Sequence, residues 1–156
     1  MASSSVSDLH PISTISWRAM ITARVTEEKL DAHALAASIK NDQSGAVVLF
    51  SGDVRDNDHG LAVKALTYEI HPSAQSVIEE IVERIAKKHD LVSAVAVHRY
   101  GSIPIGESAF VVVVASKHRK AAFAACDEMV DVVKEELPIW KYQVFADGSD
   151  EWVNNA

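Results

Sequence analysis

A single cysteine, Cys126, excludes an internal disulfide, a four-cysteine zinc site and a CxxC redox pair. It falls near the middle of an apolar helical stripe, the setting of a small buried hydrophobe rather than a nucleophile. The common cofactor and nucleophile signatures are missing as well. No GxGxxG follows a strand, and there is no GxxxxGK loop, no HExxH and no GxSxG elbow. The seven histidines are scattered without ligand spacing, so neither a metal site nor a resident cofactor is expected. Positive charge is in deficit: 15 Lys and Arg against 22 Asp and Glu leave a formal charge of −7 and a pI near 5.4. Affinity for nucleic-acid backbone requires clustered excess Lys and Arg, so a general nucleic-acid binder is excluded.

Residues 1–20 have no apolar run, and so neither a secretory core nor a membrane span, and too few basic residues for a mitochondrial presequence. They read as a flexible tail on a cytosolic protein, with Trp17 the one tail residue suited to docking. The remainder, 21–156, reads as one domain, since 48% hydrophobic and 24% charged is ordinary globular composition.

Hydrophobic periodicity orders that domain. Ile21 to Val25 reads as a strand, and Thr26 as the N-cap of a helix to about Lys40, with Glu27 and Glu28 in its first turn. Ala46 to Phe50 is an apolar run of strand length, and Val63 to Ile70 alternates well enough to return beside it as a hairpin, with Arg55 near the tip. Ser73 caps a helix to about His89, in which Val77, Ile78, Ile81, Val82 and Ile85 recur at helical spacing. Val92 to Tyr100 and Ala109 to Ala115 are further strands, separated by a turn at Ile103-Pro104-Ile105-Gly106. The order βαββαββαβ describes an α+β domain with three main helices and a mixed, mainly antiparallel sheet.

The last helix ends in Lys134-Glu135-Glu136-Leu137-Pro138-Ile139-Trp140-Lys141. Proline lacks an N–H and drives its predecessor out of helical geometry, so the helix stops near Leu137. An alternating strand follows, with Ile139, Lys141, Gln143 and Phe145 on one face. On the helix, Phe123, Cys126, Met129, Val130, Val133 and Leu137 form the apolar stripe, and Lys134 lies at its edge. Two lysines thus flank the break, placed either to converge on one pocket or to extend separately to water. Arg55, His98, Arg99 and Arg119 also stand at element ends. Singly each has an ordinary structural reading, whereas together they describe an anion site.

The strings Gly45-Ala46-Val47-Val48-Leu49-Phe50-Ser51-Gly52-Asp53-Val54-Arg55, His98-Arg99-Tyr100-Gly101, Arg119-Lys120-Ala121-Ala122-Phe123 and Pro138-Ile139-Trp140-Lys141 carry a resemblance. In this order they resemble the motifs of the catalytic large subunit of molybdopterin synthase, and the likeness runs from about Thr22 to Trp152. It implies an α/β hammerhead fold and a homodimer within a heterotetramer. It also implies a small ubiquitin-like sulfur-carrier partner whose C-terminal Gly-Gly thiocarboxylate threads into a pocket. Its sulfur would go to cyclic pyranopterin monophosphate, building the dithiolene of molybdopterin. Lys134 and Lys141 resemble the catalytic lysines, Arg55, His98, Arg99 and Arg119 the substrate- and tail-binding set, and Phe50 a residue of the tail channel. Lys134, half-buried beside Phe123, would be a candidate proton shuttle.

Two departures accompany the resemblance. Gln143 stands where an acidic residue is expected two positions beyond the lysine, turning any ion pair there into a neutral hydrogen bond. Asn154-Asn155-Ala156 follows Trp152-Val153, where the family often has a basic residue that reaches the neighbouring subunit's pocket. Two readings from other classes stay open on the residues: a non-enzymatic adaptor for a ubiquitin-like tail, and a small phosphate-ligand sensor.

Overall fold

The structure, a computed structural model, describes residues 19–154. Most of the tail expected over residues 1–20, Trp17 included, lies outside that range. Among the described residues, nine strands and three helices follow one another as β1 (Met20–Thr26), α1 (Ala32–Ser38), β2 (Ala46–Asp53), β3 (Asn57–Asp58), β4 (Leu61–Ile70), α2 (Ala74–Lys88), β5 (Ser93–Arg99), β6 (Gly101–Ile103), β7 (Ser108–Ser116), α3 (Arg119–Glu136), β8 (Ile139–Phe145) and β9 (Asp150–Val153). The α+β expectation holds, but the strands form two sheets. One has the order β1-β5-β7-β2, with β1 and β5 parallel and the other pairs antiparallel. The second runs β3-β4-β8-β9, with β6 also paired to β4.

The main core lies where α2 and α3 cover the first sheet. Ile78, Ile81, Val82 and Ile85 of α2 and Met129 and Val133 of α3 are fully buried against Ala94, Ala96, Val112 and Val114. The other face of that sheet carries a smaller cluster, Val95, Val97, Val111 and Val113, covered by Leu30, Ile39 and α1. Helix α2 closes with left-handed Asp90 (φ 51°), where Asp90 N–H donates to Lys87 and Leu91 N–H to Ala86. Leu91, just past this Schellman-type stop, is itself buried.

Three local expectations are corrected. Strand β1 runs through Thr26, whose Oγ1 accepts from Glu28 N–H, and α1 starts later, with Asp31 Oδ1 accepting from Ala34 N–H at 3.0 Å. Thr26 is therefore no helix cap. Strand β2 does not pair with β4, because the apolar Val111–Val114 segment of β7 takes it into the first sheet. The hairpin forms instead between β3 and β4, and its two loop residues, His59 (φ 52°) and Gly60 (φ 80°), adopt the positive φ values of the turn that fits strand twist. Arg55 accordingly lies in the link between the two sheets, not at a hairpin tip.

The third correction concerns α3. Its buried residues are Ala122, Ala125, Cys126, Met129 and Val133, whereas Phe123 is 63% exposed. Small alanines let the helix sit close to β7 and turn Phe123 outward, so Lys134 is exposed and not half-buried beside it. The proline break holds. Leu137 is extended (φ −67°, ψ 122°), and β8 starts two residues later.

Candidate active site

The break after α3 brings Lys134 to the rim of a pocket of about 190 Å³ between the end of β2, the β3–β4 hairpin and β8. Pairing with β4 sets Lys141 opposite Tyr68 and Gln143 opposite Leu66, on the inward face of the second sheet. Lys141 is thereby pointed into the same pocket, and its side chain keeps 23% exposure. At the end of β2 the register with β7 slips between Gly52 and Asp53, a bulge that bends the strand as it reaches the pocket. A side chain on Gly52 would meet the Phe50 ring, so the glycine gives that ring room to lie along the pocket wall.

Five of the seven expected residues line this pocket: Phe50, Arg55, His98, Lys134 and Lys141. His98 is its buried aromatic wall. The imidazole stacks on Phe110, with centroids 5.2 Å apart, and meets Tyr68 edge-on at 4.9 Å. Burial, with the Lys134 ammonium adding to it, pushes the His98 pKa down to about 4, so the ring is neutral at pH 7. Nδ1 lies 2.8 Å from the Arg99 carbonyl, which can only accept, so Nδ1 carries the proton and Nε2 the lone pair. Burial also pushes the Tyr68 phenol up to about 12.

Arg99 and Arg119 are not among the lining residues. Neighbours on a strand face opposite ways, so His98 turns to the pocket and Arg99 away from it. The Arg99 guanidinium donates to Glu107 Oε2 at 2.8 Å, and Lys29 sits 3.4 Å from Oε1 of the same carboxylate. Arg119 begins α3, and Lys134 lies fifteen residues farther along it. At the helical rise that is roughly 22 Å, so Arg119 is at the far end of the helix from the pocket.

Asp58, which lines the pocket together with Asp53, is among the residues that the sequence did not single out. Its Oδ2 accepts from Gln143 Nε2 at 2.7 Å and lies 3.9 Å from Lys141 Nζ, while Oδ1 lies 3.7 Å from Arg55. The Gln143 hydrogen bond first, then Lys141, His59 and Arg55, hold the Asp58 carboxyl below the usual carboxylate range. Nothing in the spacing of Asp56-Asn57-Asp58 sets this carboxylate apart from its neighbour, and only the turn at His59-Gly60 aims it inward. Asp58, His59 and Glu151 also place one potential ligand atom each within 4.8 Å of one another. Gln143 already occupies both carboxylates, and Lys141 and Arg55 oppose a further positive charge there.

The pocket thus sets three cations, partly offset by Asp58 and with Asp53 also on its lining, beside an aromatic wall and an uncharged imidazole acceptor, which leaves net positive charge for an anion carried on a flat or slender body. Relatives and solved structures agree with one another on the family. A model of the family described as "MoaE protein" matches residues 25–136. The molybdopterin synthase catalytic subunit of Thermoplasma volcanium is 33% identical over 129 residues, which is 82% of this chain and 94% of that protein. The crystal structure of molybdopterin synthase from Staphylococcus aureus superposes with a TM-score of 0.77 at 30% identity, covering 84% of this chain and 96% of that one. The complex of subunits 1 and 2 of molybdopterin-converting factor from Helicobacter pylori shares the fold, with a TM-score of 0.61 at 24% identity over 86% of this chain and 88% of that one. With most of its length matched by that family model and by relatives of nearly its own size, the chain belongs to the MoaE protein family.

Proposed function

We propose that this chain is the catalytic subunit of a molybdopterin synthase, a sulfurtransferase of molybdenum cofactor biosynthesis acting in the cytoplasm. A small ubiquitin-like subunit would supply sulfur as a C-terminal Gly-Gly thiocarboxylate, and cyclic pyranopterin monophosphate would accept it in two rounds. The observation that carries this reading is the convergence of Lys134 and Lys141 on one pocket with Arg55 and neutral His98. Both substrates are anions, and a cluster of fixed cations offsets their mutual repulsion and holds them in reacting geometry.

In this scheme the tail enters past Phe50, Arg55 holds phosphate at the mouth, and the two lysines donate and accept protons as the cyclic ester opens and water is lost. The uncharged His98 Nε2 adds an acceptor for a pterin N–H without adding charge. The protein would work as a homodimer within a heterotetramer. Arg119, too distant for its own pocket, would then act only across the subunit boundary, and Arg99 would support the site through the backbone carbonyl that fixes His98.

A single-turnover assay tests this. The protein is mixed with cyclic pyranopterin monophosphate and a thiocarboxylated ubiquitin-like partner, and the pterin is followed by mass spectrometry. The expected product is two sulfurs richer and is abolished or slowed by Lys134→Ala and by Lys141→Ala while the partner still binds. Tight partner binding by the wild type with no sulfur transfer would overturn the enzyme in favour of an adaptor.

A further inference from the structure

Taking the proposed sulfur transfer at Lys141 as its basis, we infer that Asp58 is a positioning residue. Fixed by Gln143, its carboxylate draws the Lys141 ammonium towards one oxygen and the Arg55 guanidinium towards the other. The two sets of distances differ in kind. Gln143 Nε2 holds Oδ2 at 2.7 Å, a short charge-assisted hydrogen bond, whereas Lys141 and Arg55 stand at 3.9 and 3.7 Å, within Coulomb reach but beyond a hydrogen bond. The carboxylate is therefore tethered to the sheet and only loosely engaged with the cations.

That asymmetry has a functional sense. Gln143 is 2% exposed and anchored on β8, two residues from Lys141, and its amide also donates to Glu151 at 3.2 Å. Asp58 comes from a different element, the β3 side of a two-residue hairpin. The contact therefore ties the hairpin to the strand that bears Lys141. A negative charge in a pocket for anions opposes binding unless something is gained in return. Here the gain is order, because Coulomb attraction to a fixed carboxylate biases the long lysine side chain towards the pocket before substrate arrives. An incoming anion then takes over Lys141 and Arg55 while Gln143 retains the displaced carboxylate.

The test compares wild type with Asp58→Asn and with the double variant Asp58→Asn/Gln143→Glu, which returns a carboxylate to the same hydrogen bond from the other side. In the single-turnover assay Asp58→Asn is expected to slow transfer at saturating pterin by up to about 100-fold. Its pterin affinity should be equal or tighter, since an opposing charge has gone. The double variant should recover part of the lost rate, the rest being lost to repulsion between the new carboxylate and Glu151, to which the Gln143 amide had donated. Nitrogen-15 spectra of the Lys141 ammonium give a second readout that needs no turnover. The signal should be held in wild type, averaged in Asp58→Asn and restored in the double variant. Wild-type rate and an unmoved Lys141 signal in Asp58→Asn would overturn the inference. So would a double variant that melts like wild type yet recovers neither. Absence of transfer by the wild type would remove the proposed function while leaving the spectroscopic test of Asp58 in force.

Discussion

The imidazole of His98 lies nearly parallel to the ring of Phe110, with planes 20° apart and centroids separated by 5.2 Å, and it is 1% exposed. Burial depresses its pKa from 6.5 to about 4, so the folded state resists a proton that the unfolded state accepts. The contribution to stability is complete above the unfolded value and is lost as the pH falls from about 6.5 towards about 4. Between pH 7 and pH 5 the loss should be roughly 2 kcal/mol. Urea titrations at the two pH values check this. The fall should be clear in the wild type and largely absent in His98→Gln, which cannot be protonated.

Arg99 and Arg55 should separate cleanly by experiment. Arg99 is mostly buried and donates to Glu107, so Arg99→Ala removes a charged hydrogen bond and should cost about 2 kcal/mol of stability. For a chain of this size that lowers the melting temperature by roughly 4–8 °C. The Arg55 side chain is 78% exposed, and its loose pairing with Asp58 adds little. Arg55→Ala should leave the melting temperature almost unchanged while weakening binding of the phosphate-bearing substrate about 10-fold, as loss of one anion contact implies. A reversal of the two phenotypes in calorimetry and binding titration would exchange the roles.

The same pair shows how much of the site was legible in the sequence. Motif order placed Phe50, Arg55, His98, Lys134 and Lys141, and these five do share the pocket. Strand alternation also held the information that His98 and Arg99 face opposite ways, although the HisArg dipeptide reads naturally as one basic patch. Asp58 was not legible, because its role depends on the hairpin geometry at His59-Gly60 and on which strand β8 pairs with. For the fold, periodicity found α2, β5, β7, α3 and β8 closely. It failed at β2 with β4, since two plausible strands separated by a polar turn look alike whether they pair with each other or part into different sheets. The short strands β3, β6 and β9 are made by tertiary pairing and carry too few residues for any period.

Gln75 guards the open edge of the first sheet. Its Oε1 accepts from Val25 N–H at 3.0 Å and its Nε2 donates to the Ala23 carbonyl at 3.0 Å, so a helix side chain pairs with β1 as a neighbouring strand would. Gln75→Ala removes both bonds and should cost about 1–3 kcal/mol. The measurement is amide hydrogen exchange. Val25 should lose protection far more than Val95 or Val113 in the centre of the sheet, and uniform loss would mean that Gln75 serves global packing instead.

The rotation of α3 makes the last prediction. The stripe of Phe123, Cys126, Met129, Val130, Val133 and Leu137 would make both Phe123 and Met129 core, yet Phe123 is 63% exposed and Met129 fully buried. Met129→Ala should therefore open a cavity and cost about 2–5 kcal/mol. Phe123→Ser should change stability by no more than about 0.5 kcal/mol, as a surface substitution does. Both are read from chemical denaturation with the midpoint and slope fitted together, so that a change in cooperativity is not mistaken for one in stability. Equal destabilisation by the two variants would return Phe123 to the core and Lys134 to its flank. The small effect expected for Phe123 leaves Lys134 on the solvent side of α3, where it reaches the pocket from the rim and a substrate meets it on entry.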